Sequence, residues 1–391
     1  MTTTTREAAP ARPLPAVLAL TFGITMLVAG EFLPAGVLPA VARDLSVSPG
    51  TVGLAVAATA LAGALTAPTI ASIVPRMDRR TVLVGLLALA TISDAVVALA
   101  PHIAVLLAGR LILGVAIAGY WSFAFGAGVH VAQGRSALVS TSLASGTSVA
   151  TIIGVPLASL LGDTVGWRTV FWLATALTAL ATVVLYRVLT PVPAHPSAGT
   201  EMMRRALRNR RLVIGAALVA LAVLGNFIAY PFIRLAIERV DAGAGSGSNV
   251  AGGAAVLLLV WGVGGLAGNL LAGVLSRWLR WAVALGPLIV SIALAATLTT
   301  SVPVLFLAIA AWGIGFNLIP VTTQLWVTTV GHDTAESAVA LQVTAFQTAI
   351  TAGAVTGGLL VDHVGLGAAF LTGSAAGLLA AAGFASIRVR A

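Results

Sequence analysis

Twelve long apolar runs, separated by breaks only a few residues long, constrain this chain more than any single motif. A helix that crosses a bilayer needs about 20 mostly apolar residues. Runs of that size cover 15–41, 50–74, 81–100, 103–130, 137–162, 168–189, 212–237, 249–275, 281–300, 303–330, 337–361 and 366–387. A membrane β-barrel is excluded, because its strands are about 10 residues long and alternate polar with apolar, and these runs do not alternate. The expected fold is therefore an all-α integral membrane protein with twelve transmembrane helices in two pseudo-symmetric six-helix halves. Only 8% of the 391 residues are charged, against about 25% in soluble domains. A soluble enzyme, a nucleic-acid binder and a disordered chain are thereby excluded. The formal net charge of +9 does not bring nucleic acid back as a partner, since the arginines cluster in gaps between apolar runs and not on an aqueous face. The absence of Cys removes disulfides and thiolate chemistry.

The longest polar break, 190–211, follows the sixth run and is rich in Pro and then Arg. It divides the chain into a tail 1–14, a bundle 15–189, a linker 190–211, a bundle 212–387 and a tail 388–391. Residues 1–13 are polar, and the run Pro15–Val41 is longer than the apolar core of a cleaved signal peptide, so it reads as a spanning helix. A Gly/Ser-rich loop, Asp241–Asn249, follows the seventh run. All 21 basic residues are Arg. With the N-terminus in the cytoplasm, 16 of them lie inside, 4 (Arg43, Arg168, Arg234, Arg239) lie outside, and Arg110 falls within a span. Positive loops face the cytoplasm, so both termini are expected there, and Arg-for-Lys usage fits a bacterial inner membrane. The halves echo each other: Gly63-Ala-Leu-Thr-Ala-Pro68 precedes Arg76 and Asp78-Arg79-Arg80, and Gly268-Asn-Leu-Leu-Ala-Gly273 precedes Arg277 and Arg280. Repeated halves of this kind suggest a transporter with its site at the midplane.

Ordered motifs carry a resemblance. Span 1 has Gly30-Glu-Phe-Leu-Pro34 and Leu38-Pro39, and span 4 has Arg110-Leu-Ile-Leu-Gly114. Span 5 has Gly146 and Gly154-Val-Pro156-Leu, followed by Gly166-Trp-Arg-Thr-Val-Phe171. Spans 10 and 11 carry Trp312-Gly313, Gln324, Ala335-Glu336, Gln347 and Gly357-Gly358. In this order the chain resembles the major facilitator superfamily, within its twelve-helix drug:proton antiporter branch. Glu31-Phe-Leu-Pro34, Met77-Asp78-Arg79-Arg80, Gly119-Tyr-Trp121, Asn226-Phe-Ile-Ala-Tyr230 and Asp362-His-Val-Gly-Leu366 are most similar to the purine ribonucleoside efflux group, with sugar and chloramphenicol efflux pumps nearby. The loop after span 2 departs from the family pattern Gly-x-x-x-Asp-Arg-x-Gly-Arg-Arg. Aligned on Arg79 and Arg80, the usual acid falls on Pro75, while Arg76 keeps its place and Asp78 is the carboxylate that could substitute. The resemblance implies a role in conformational switching for Gly154, Pro156, Arg76, Asp78, Arg79 and Arg80; simple packing is the alternative for the first two.

Three charged residues sit well inside spans: Glu31, Asp94 and Arg110. A charge at that depth costs from about 3 to over 10 kcal/mol, and marks a functional candidate. A carboxyl withdrawn from water favours its protonated form, as a proton carrier must, so Glu31 is assigned to proton coupling. Structural capping of the Pro34 break and direct substrate recognition are the alternatives. Asp94 and Arg110 join it as coupling candidates. Similar depth on neighbouring helices allows an ion pair between them. The alternative has Arg110 bonding carbonyls near span 1 and Asp94 facing the cavity. Tyr120, Trp121, Asn226, Tyr230, Asn317, Gln324 and Gln347, with Trp326 and Gln342 beside them, are the substrate-binding candidates. The resemblance places most of them on the cavity-lining spans 4, 7 and 10, amides read ring nitrogens and hydroxyls, and aromatics stack on flat rings. Interhelical glue worth about 0.6 kcal/mol each is the alternative. Trp167, Trp172, Trp278 and Trp281 are expected as interface anchors, and Pro34, Pro39, Pro156, Pro231 and Pro320 as bends.

Gly262-Val-Gly264-Gly265-Leu-Ala267 fits a dinucleotide pattern but lies in an apolar span, so it reads as packing. No phosphate-binding loop occurs, and the five His form no metal constellation. No metal and no cofactor are expected; the proton gradient is the energy source. The expected function is proton-coupled export of a small organic substrate, a nucleoside, sugar or drug, by alternating access in a monomer. Its partners are protons, substrate and the bilayer. A proton-independent facilitator or importer is the nearer rival and a non-transporting sensor the farther one. An intramembrane enzyme lacks any paired carboxylates, Ser/His dyad or metal ligands at helical spacing.

Overall fold

The computed structural model describes residues 13–193, 207–243, 251–331 and 335–387. The expected tails, most of the linker 190–211 and the tip of the Gly/Ser-rich loop lie outside the described residues. The helices are α1 (Pro13–Asp44), α2 (Pro49–Thr66), α3 (Arg79–Ala98) and α4 (Ile103–Val131). Next come α5 (Ser136–Val149, a π-helical turn Ala150–Gly154, then Val155–Thr164) and α6 (Trp167–Val188). The second set is α7 (Arg210–Ala229, a 3-10 turn Tyr230–Phe232, then Ile233–Gly243), α8 (Ala251–Leu275), α9 (Leu279–Ala296), α10 (Val302–Val330), α11 (Ala335–His363) and α12 (Leu366–Ser386). By length and hydropathy eleven segments qualify as membrane spans, one of them the 44-residue run Gly253–Ala296. That run would be about twice a bilayer's thickness as one helix. The 3-10 turn Ser276–Trp278 divides it into α8 and α9, which gives twelve.

Local chemistry sets the ends. Ser48 accepts the Thr51 N–H and Pro49 opens α2, whose first turn needs no Pro N–H. Asp78 caps α3 by accepting from Thr81, and Asn209 caps α7 by accepting from Arg211 and Leu212. The second span was predicted to reach residue 74; α2 instead ends at Thr66, just before Pro68, and a separate short turn covers Ile70–Ile73. Of the five expected bends, Pro156 follows the π-turn and Pro231 sits in the 3-10 turn. Pro34, Pro39 and Pro320 lie inside unbroken helix.

Hydrogen bonds define two ends of the bundle. At one, Trp167 and Arg168 donate to Asp44 and Arg168 also donates to the Ala100 carbonyl, while Arg239 donates to the Thr297 and Thr299 carbonyls. This odd-loop end collects the loops after α1, α3, α5, α9 and α11. At the other, the terminal end, Asp78 accepts the Val192 N–H at 2.7 Å and Arg80 donates to the Tyr186 carbonyl at 2.6 Å. The sixth helix of each set starts after a glycine at positive φ, Gly166 at 87° and Gly365 at 117°, a backbone region that favours glycine. Trp167, expected at the membrane interface, is buried at 3% exposure because its indole N–H serves Asp44. Trp172, Trp278 and Trp281 are exposed.

The first six and last six helices meet along α2–α11 and α5–α8, with α1 against the broken α7. Gly262 of α8 lets the π-turn of α5 come close; a Cβ there would lie 2.6 Å from the Ile152 Cα. Gly264 and Gly265 face α10 in the same way, at the Ala310 carbonyl and the Asn317 amide. The dinucleotide-like stretch is thus a packing surface.

Candidate functional site

Arg110 is fully buried on α4. Its guanidinium donates to the Gly30 carbonyl at 2.7 Å, the Glu31 carbonyl at 2.8 Å and the Ala55 carbonyl at 3.4 Å. The predicted Asp94–Arg110 ion pair is not formed; Arg110 takes the other reading, fixing the backbone of α1 beneath Glu31. A planar fork of donors suits several carbonyls at once. Asp94 does not open on a cavity either. It is 1% exposed, accepts from Thr178 of α6 at 3.3 Å, and its Oδ1 lies beside Gly30 without a partner.

Glu31 differs from both. It is partly exposed, and its carboxylate forms no hydrogen bond or ion pair among the described residues. Thirteen residues from the end of α1, it lies about 20 Å below the odd-loop end. Next to it, Phe32 meets Tyr230 edge-on, with ring centroids 5.4 Å apart. Tyr230 belongs to an aromatic cluster of the last six helices. It packs on Trp261 at 5.1 Å, Phe227 at 5.6 Å, Trp312 at 6.4 Å and Phe316 at 6.5 Å. Asn226 accepts the Trp312 indole N–H at 2.7 Å. Three buried polar atoms there have no partner: the Tyr230 hydroxyl, the Trp261 indole nitrogen and the Asn226 amide nitrogen. Such atoms ordinarily find a hydrogen bond. The unpaired Glu31 carboxyl thus lies within electrostatic reach of Tyr230, in an aromatic cluster carrying unused donors.

The remaining predicted substrate residues separate. Tyr120 donates to the Leu20 carbonyl at 3.0 Å and is fully buried against Gly23, the geometry of interhelical glue. Trp121 is 44% exposed. It continues the α4 face on which Gly114 meets the Thr59 carbonyl and Ala118 lies near Gly63, the face turned toward α2. Gln347 is partly exposed and packs against Gly63 across the two sets of helices. Asn317 donates to the Gly313 carbonyl at 3.2 Å beside Gly265. Gln324, two turns on along that face, is exposed. Gln342 donates to Thr323 at 2.8 Å, and Trp326 is buried against Phe384. Trp261, Phe227 and Phe316 were not predicted; in an apolar run an aromatic reads as packing, and no spacing signal marks them.

The switch candidates also have definite places. Gly154 closes the π-turn beside Ala29 of α1, and Pro156 follows it. A proline lacks the N–H of a regular turn, and π-turns collect where a helix is interrupted. Asp78 holds α3 and Val192 of its own half. Arg79 donates to the Val74 carbonyl and lies over the Phe123 ring, Arg80 lies over Tyr186, and Arg76 is exposed.

Twelve helices in two sets of six, packed along α2–α11 and α5–α8 and holding an unpaired carboxyl at depth, are the arrangement of a secondary transporter. Residues 20–330 match the family model of the Major Facilitator Superfamily. The chain belongs to that superfamily, a family of transporters and not of enzymes. It is 32% identical over 355 residues to the purine ribonucleoside efflux pump NepI of Escherichia coli (strain K12) and of Shigella flexneri, covering 90% of this chain and 88% of the relative. Among solved structures, a nucleoside transporter NupG mutant superposes with a TM-score of 0.81 at 14% identity, covering 95% of this chain and 98% of that one. A D-xylose-proton symporter superposes at 0.72 and 18%, covering 95% and 97%. At those identities the likeness is one of fold.

Proposed function

We propose that this transporter exports a purine ribonucleoside, or a similar flat, hydroxylated compound, by proton antiport and alternating access across a bacterial inner membrane. The observation that carries the reading is the unpartnered Glu31 carboxyl within electrostatic reach of Tyr230, whose aromatic cluster has unused donors. The relatives named as purine ribonucleoside efflux pumps support the substrate class. The Arg-rich terminal end is assigned to the cytoplasm, so the odd-loop end faces outward. Residues 15–189 and 212–387 are assigned to two rocking halves.

In this mechanism the protein binds substrate from the cytoplasmic side while Glu31 releases its proton inward. The halves then rock, and a proton arriving from outside returns Glu31 to its neutral form as substrate leaves. Arg110 keeps the local α1 backbone fixed while the proton comes and goes. Asn226, Tyr230 and Trp261 meet ring and hydroxyl atoms, while Trp121, Gln324 and Gln347 line the approach. Metal and cofactor play no part in this cycle.

The reading is tested by equilibrium binding of a purine ribonucleoside to the purified protein at several pH values. Binding that releases protons and becomes pH-independent in Glu31→Gln supports antiport. Tight binding with no proton release in the parent protein assigns a facilitator instead.

A further inference from the structure

Two carboxylates stand at equivalent places in the two halves. Asp163-Thr-Val165-Gly166 ends α5 and Asp362-His-Val364-Gly365 ends α11, each followed by the last helix of its half. Each reaches across to the other six helices. Asp163 Oδ2 accepts from Arg234 Nη2 of α7 at 2.5 Å. Asp362 accepts from the Ser48 hydroxyl at 2.6 Å and the Gly50 N–H at 2.9 Å, at the N-terminus of α2. Arg234 is 5% exposed, and its Nη1 also donates to the Gly36 carbonyl at 2.7 Å and the Ser159 hydroxyl at 2.8 Å. Its Nε donates to Glu238 at 3.0 Å. The hydrogen bonds seen between described residues of α1, α2 and α5 and those of α7 and α11 gather in these two clasps.

We infer that Asp163–Arg234 and Ser48/Gly50–Asp362 form a paired clasp that holds the odd-loop end shut, with Arg234 as the principal positioning residue. A guanidinium this buried cannot lose its partners cheaply, so opening that end requires the α7 segment carrying Arg234 to move as a unit. That segment begins at the Tyr230–Phe232 turn. Tyr230, in the aromatic cluster, lies four residues before Arg234, about one helical turn. Contact of a ligand with Tyr230 is thereby placed one turn from the clasp. The inference rests on the alternating access proposed above, and its test needs no substrate, so its failure is separable from failure of the substrate reading.

The chain has no Cys, which suits site-directed spin labels. Val165 and Val364, 52% and 69% exposed in the loops beside the two carboxylates, take Val165→Cys and Val364→Cys. Distances between the labels are read in lipid nanodiscs. The unmodified clasp is expected to give mainly short distances. Arg234→Gln and Asp163→Asn should each raise the long-distance population about tenfold or more, as expected for loss of a charge-assisted hydrogen bond. Asp362→Asn, at a more exposed clasp, should raise it less, and Arg234→Lys should partly restore the short distance. If Arg234→Gln does not fold, Asp163→Asn carries the test, since it leaves Arg234 its bonds to Gly36, Ser159 and Glu238. Long distances in the parent, or unchanged distances in folded variants that merely melt lower, would overturn the clasp.

Discussion

Arginine is scarce at the odd-loop end, and three of its four arginines there have fixed partners. Arg168 serves Asp44 and Ala100, Arg234 the clasp, and Arg239 two carbonyls at the end of α9. The residue type that crowds the sequence near the terminal end is structural at this one. Tyr120 and Tyr230 show how far residue type alone can be read. Both were predicted to touch substrate, yet one hydroxyl is bonded to Leu20 and the other has no partner. Tyr120→Phe is expected to lower stability by about 0.6 kcal/mol and leave nucleoside affinity unchanged. Tyr230→Phe removes an unsatisfied buried group, so stability should hold, while affinity should fall about tenfold, the cost of a substrate hydrogen bond. Thermal melts and binding isotherms of both variants check this. Glu31 and Arg110 were legible because a charge at membrane depth is costly and rare. Arg234 was not, since a charge near a span end reads as ordinary flanking. Nor was the Asp94–Arg110 separation, because helices apolar on every side reveal no face.

Helix ends were legible where caps and prolines punctuate them, and the twelve spans fall within a few residues of their predicted places. The exception, α2, ends early because Pro68 interrupts it. Breaks inside helices were less legible: five prolines look alike in sequence, and only Pro156 and Pro231 sit at non-α turns. The π-turn of α5 matters because Gly262 of α8 touches it. Gly262→Val would press side-chain atoms onto the Ile152 and Thr151 backbone, and overpacking of this kind costs about 1–3 kcal/mol. The variant is expected to assemble but to exchange nucleoside about tenfold more slowly in proteoliposomes. Unchanged exchange would mean that the α5–α8 contact is not tightened at any step of the cycle. Gly114→Val, pressed onto the Thr59 carbonyl within one half, should instead lower the melting temperature.

For the whole molecule, the pattern of runs and breaks specified the class, and ordered motifs specified the superfamily, whose model matches residues 20–330. What the pattern left dark is three-dimensional: the paired carboxylates, 199 residues apart at Asp163 and Asp362, become one device only when the halves meet. The orientation proposed from the Arg asymmetry has both termini in the cytoplasm. A C-terminal green fluorescent protein fusion should therefore fluoresce and an alkaline phosphatase fusion at the same point should stay inactive; the reverse would invert the transport direction proposed here. The most direct measurement uses proteoliposomes holding a pH-sensitive dye, to which a purine ribonucleoside is added under an imposed proton gradient. The expected result is proton flux that starts with the nucleoside and is lost in Glu31→Gln. Nucleoside that crosses with no proton movement, or flux that survives Glu31→Gln, would contradict proton antiport through this carboxylate.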